Sequence, residues 1–210
     1  MRRLLATLGT LVVAAACGGG GTGPSPTGPS PTVPSPSPSN PVVAGWQGTV
    51  IAARRTLSGP LDTTQTFQGT VAFEPGNIID TYDPPDLLAP LIPANVAQYV
   101  LTPGLLRLTH VGSVGPCSYG TGSWDVLMKK SDGYLTVAPN GHVDGRVTLP
   151  NTLFPVTVVC PGAGSAPGES GVEMYLVIAG TVAGTRVTGS MAPMTYAAST
   201  FTGSWDLASR

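Results

Sequence analysis

Charge is scarce in this chain. Only 10% of its 210 residues are Asp, Glu, Lys or Arg, and ten basic side chains nearly balance eleven acidic ones. A nucleic-acid binder needs a basic footprint, and this composition does not supply one. Histidine is limited to two residues, His110 and His142, and cysteine to three. A zinc centre takes three or four ligands, and no Cys or Glu cluster accompanies the imidazoles. The apolar run from Leu4 to Ala16 is shorter than the roughly 20 residues a membrane-spanning helix needs. The chain also lacks a Gly-x-Ser-x-Gly elbow, a phosphate-cradling loop, an HExxH helix and a dinucleotide-binding fingerprint. Nothing therefore nominates a catalytic residue, a metal or a cofactor.

What is present is glycine and proline, 28 and 22 residues, with valine, threonine and scattered aromatics. That mixture reads as an all-β module and not as a helical or disordered chain. Three regions follow: 1–16 as a signal peptide, 17–41 as a tether, and 42–210 as one all-β domain. The last is long enough to bury a sizeable core.

The first region opens with Arg2-Arg3, continues through the apolar run, and ends in Ala14-Ala15-Ala16 before Cys17. A positive start, a short apolar core and small residues at its end form an export signal. The segment resembles the lipobox of bacterial lipoproteins, whose cysteine is acylated and becomes the mature N-terminus. The resemblance covers residues 1–17 and implies lipid attachment at Cys17, with the membrane as partner. Each buried methylene contributes about 0.8 kcal/mol, so several acyl chains hold a protein to a leaflet without a transmembrane helix. Gly18 in place of an aspartate after the cysteine implies an outer-membrane or cell-surface location over the inner membrane. The alternative is an ordinary secretory signal cut after Ala16, leaving Cys17 free or paired. Without Arg2 and Arg3, eight of the ten basic residues remain against eleven acidic ones, a net charge near −3.

Residues 18–41 repeat Pro-Ser and Pro-Thr units behind four glycines. Such a segment buries no apolar area and favours an extended polyproline II conformation, at about 3.1 Å per residue. It reads as a spacer.

From Val42 onward, short alternating runs are punctuated by Gly, Pro and Asn-Gly. Strands are expected at 45–51, 67–73, 105–111, 122–128, 134–137, 142–149, 156–160, 172–182, 186–191 and 201–207. Asn140-Gly141 is the clearest hairpin turn. Between Asp80 and Val100, proline-rich sequence implies an irregular, partly helical excursion. An antiparallel meander of this kind closes into a small barrel, with a two-sheet β-sandwich as the alternative.

Thr121-Gly122-Ser123-Trp124-Asp125 is echoed by Thr202-Gly203-Ser204-Trp205-Asp206. Two copies cannot supply the four or more blades of a propeller. The Gly-x-Trp opening is similar to that of lipocalin-like and avidin-like barrels, which implies architecture and names no ligand. Trp46, Trp124 and Trp205 are accordingly candidate ligand-binding residues, with core-sealing indoles as the alternative.

Once Cys17 is taken by lipid, Cys117 and Cys160 remain in an exported chain, where a disulfide is expected. His142 and Asp144 share one strand face but lack further ligands, so His142 is expected to be solvated. His110 is expected to be a satisfied core or rim residue. Asp80, Asp83 and Asp86 form an acidic loop whose spacing fits no EF-hand. The expected function is non-catalytic binding by a monomeric, lipid-anchored module. Its target would be a small apolar ligand, a glycan or an envelope protein. The alternatives are a loop-sited enzyme using His110 or His142 with Asp80, Asp83 or Asp144, and a structural or inhibitory protein acting through residues 75–104.

Overall fold

The computed structural model describes residues 43–81, 92, 93 and 95–210. The signal segment, Cys17, the tether, Asp83 and Asp86 lie outside the described residues. Ten strands make up the domain: β1 (Trp46–Ser58), β2 (Leu61–Pro75), β3 (Ala97–Leu101), β4 (Gly104–Val114), β5 (Cys117–Met128), β6 (Gly133–Val137), β7 (His142–Cys160), β8 (Gly164–Thr181), β9 (Arg186–Tyr196) and β10 (Ser199–Ser209). The only helical turns among the described residues are 3-10 turns at Ile79–Thr81 and Lys130–Asp132. All ladders are antiparallel.

Ten strands fill eight positions in a ring. β3 and β4 follow one another along β2, with Phe73 opposite Leu101 and Gln68 opposite Arg107. Pro103 between them has no N–H to continue the ladder. β5 pairs with β4 and β6 with β3, so they likewise share a position, and both reach β7. β10 pairs with β1. An antiparallel meander pairs most of its edges in this way, and the β8–β9 join is the exception.

Alternation along each strand explains the core. In β2, Phe67, Val71 and Phe73 point inward while Gln68 and Thr70 face solvent. The inward side chains of all strands meet in one cluster that includes Val50, Leu108, Leu135, Leu149, Met174, Leu176, Val187 and Leu207. Burying each such side chain stabilises the fold by roughly 1.5–3 kcal/mol before entropy is counted.

The ring has two distinct ends. At the N-terminal end, the chain enters at Val43, whose carbonyl accepts from the Tyr99 hydroxyl. The C-terminus closes beside it, as the Arg210 amide donates to the Gly45 carbonyl (3.0 Å). The Asn140-Gly141 turn also lies here, with Gly141 at φ 80°. The far end carries the turns between β1 and β2, β4 and β5, β7 and β8, and β9 and β10. There the Cys117–Cys160 disulfide joins β5 to β7 with Cα atoms 4.1 Å apart. It continues a short ladder in which Ser118 faces Val159 and Tyr119 faces Val158.

β7 runs unbroken from His142 to Cys160 where the sequence suggested two strands. Pro150 is absorbed by a register shift between Leu149 and Thr152, as proline in a strand is tolerated at a bulge. Within residues 156–160, Val156 is buried and Val159 is exposed.

Candidate functional site: a groove at the open seam

One join in the ring is not laddered. Among the described residues no ladder pairs β8 with β9, and an isolated bridge between Ala183 and Arg186 closes the turn that joins them. Further along, the Val177 amide donates to the Met191 thioether (3.5 Å) where a ladder would offer a carbonyl. β9 is itself irregular beside the opening. Pro193 supplies no N–H, and it sits in the register shift that falls opposite Phe201 and Gly203. Gly189 is covered by the Trp205 indole, whose ring lies 2.5 Å from where a Cβ would stand.

The opening widens toward the far end into a groove of about 430 Å³, lined by Arg54, Glu173, Tyr175, Tyr196, Ala197, Ser199 and Phe201. Small-ligand clefts run from roughly 300 to 1,000 Å³. β1 and β10 place Arg54 directly opposite Phe201, and β8 brings Glu173 and Tyr175 across the seam. The Phe201 and Tyr175 rings stack with centroids 4.6 Å apart. The Arg54 guanidinium lies 5.7 Å from the Phe201 centroid. Arg54 Nε donates to Ser199 Oγ (3.1 Å), and Nη1 donates to the Glu173 carbonyl (3.2 Å). Thr56 Oγ1 is 2.8 Å from the same serine oxygen. The guanidinium is thus fixed from both sides.

At the rim, Tyr196 is 74% exposed. Beside it, Ala197 adopts φ 51° in the turn between β9 and β10. A residue with a Cβ pays about 1–2 kcal/mol to hold that conformation, and strain of this kind concentrates at functional surfaces.

The tryptophans do not line this groove. Trp46 and Trp205 belong to the packed core, at 2% and 5% exposure. Trp46 meets Tyr99 edge-on, with centroids 6.5 Å apart. Trp124 is half-buried against Phe154 (5.2 Å). The three therefore occupy separate places in the apolar filling.

His110 is a core residue, at 1% exposure, but it is not satisfied. Among the described residues neither ring nitrogen has a hydrogen-bond partner, and neither does the Oε1 of buried Gln65, which stands directly opposite in the β2–β4 ladder. Tyr119 packs on the imidazole at 5.1 Å. Burial lowers the His110 pKa below its ordinary value because the apolar surroundings disfavour the charged form. His142, by contrast, is exposed and lies 3.0 Å from an Asp144 carboxylate oxygen. Asp80 is exposed within the 3-10 turn. Among the described residues no group of three or more His, Cys, Asp or Glu stands close enough to hold a metal. Among the same residues no helix is long and apolar enough to cross a membrane.

Compared with family models, curated proteins and solved structures, the chain matches none.

Proposed function

We propose that this chain is an exported, lipid-anchored binding module of a bacterial envelope, monomeric and non-catalytic, whose ligand seat is the seam groove. The observation that carries the reading is the groove's position and build. Arg54 is eight residues from Trp46 along β1, so the groove lies roughly 26 Å from where the chain enters the domain. The packed tryptophans argue for seating the ligand at the groove and not within the ring.

Fractionation of the full chain expressed in a bacterium tests the anchor. The wild type should sediment with membranes and enter detergent, and Cys17→Ala should appear in the soluble fraction. A Cys17→Ala protein that stays with membranes would overturn the lipid anchor. Native mass spectrometry of the released Cys17→Ala protein, after incubation with envelope extracts, tests the seat. A bound small molecule lost on Tyr196→Ala supports it, and retention unchanged by Tyr196→Ala refutes it.

A further inference from the structure

We infer that the groove takes a sugar bearing a carboxylate, with the acid group on Arg54 and the ring against Tyr196; this rests on the groove being the ligand seat. Arg54 differs from other arginines of the sheet in what holds it. Arg55 meets Asp62 (3.1 Å), Arg107 meets Asp125 (3.0 Å), and Arg186 meets Asp206. Each of those is an exposed cross-strand pair. Arg54 instead sits half-buried at the groove and is held by a hydroxyl and a backbone carbonyl.

A guanidinium carries five N–H donors. With Nε committed to Ser199 and one Nη1 hydrogen to the Glu173 carbonyl, the two Nη2 hydrogens and the second Nη1 hydrogen remain as donors for a carboxylate. The Phe201 ring lies 5.7 Å from the guanidinium carbon, and those N–H groups are its recognition element. The remaining lining distinguishes an acidic sugar from an apolar acid. Glu173 is exposed at the groove, and Tyr175 and Tyr196 bring phenol groups. An apolar ligand would strip water from these groups without replacing their hydrogen bonds. A second acid group on the ligand would meet the Glu173 carboxylate. Several hydroxyls, one carboxylate and one apolar ring face satisfy all of these groups together.

The probe is the methyl glycoside of galacturonic acid, which carries one carboxylate, compared with its methyl ester by calorimetric titration of the Cys17→Ala protein. The acid should bind at least about tenfold more tightly than the ester, and more weakly as salt rises. Arg54→Gln should abolish the preference for the acid over the ester. The ester comparison needs no variant, so it remains decisive if Arg54→Gln fails to fold. Equal binding of acid and ester, lost on Tyr196→Ala, overturns the carboxylate assignment while leaving the groove as a ligand seat. Absence of binding by the acid overturns the inference, and the ligand-retention experiment then judges the seat separately.

Discussion

Removing the Cys117–Cys160 disulfide should cost this domain a large part of its stability. The cysteines are 43 residues apart, and in the chain-entropy account closing such a loop stabilises the fold by about 4 kcal/mol. Domains of ordinary stability have about 5–15 kcal/mol in total. The position of the staple sharpens the expectation. β5 and β7 share only the pairs Ser118–Val159 and Tyr119–Val158 beyond it, whereas β7 and β8 are laddered over most of their length. Once the bond is lost, the β5–β7 join should open before the rest of the ring does. With a urea dependence of about 2 kcal/mol per molar, 4 kcal/mol corresponds to a midpoint lower by about 2 M. Tryptophan fluorescence in urea, for the oxidised protein and for Cys117→Ser/Cys160→Ser, measures that shift. Hydrogen exchange locates it: protection should fall first at Tyr119 and Val158 and persist around Trp205. Midpoints within about 0.3 M of one another, or exchange that rises first in the β1–β10 ladder, would refute the reasoning.

Acid should weaken the fold through His110. Its folded pKa is lowered by burial, so the unfolded chain binds the additional proton, and stability falls as pH drops below the unfolded value near 6.5. The slope can reach about 1.4 kcal/mol per pH unit; His110→Phe should flatten it in urea titrations between pH 7.5 and 5, and an unchanged slope would count against the assignment. Ala197→Gly should raise stability by about 1 kcal/mol, because φ 51° costs glycine little; a lower melting temperature would contradict this. Gly189→Ala should cost about 1–3 kcal/mol by driving a methyl into the Trp205 ring, and a neutral result in the same melts would show that the indole is free to shift.

The β texture was legible because alternation and turn chemistry are local. Asn140-Gly141 forms the expected hairpin, with the His142 amide donating to the Asn140 side chain (3.0 Å). Strand lengths were harder to read. β1 and β2 extend to Ser58 and back to Leu61 through Arg54, Thr63 and Gln65, polar residues that a solvent-facing pattern would leave in loops. They are inward-facing positions of a ring whose far end is polar. The groove was not legible. Arg54 and Phe201 become neighbours only through the β1–β10 register, and Tyr175 joins them only because β8 and β9 do not ladder. The tryptophans illustrate the converse: a large aromatic on an alternating strand looks the same in sequence whether it walls a cavity or fills a core.

The most direct test is the intact mass of the full chain extracted from the membranes of a bacterium that processes it. The account predicts a polypeptide that begins at Cys17, carries a diacylglyceryl thioether there, and holds Cys117 and Cys160 as a cystine. A chain recovered from the soluble fraction with Cys17 unmodified would contradict it.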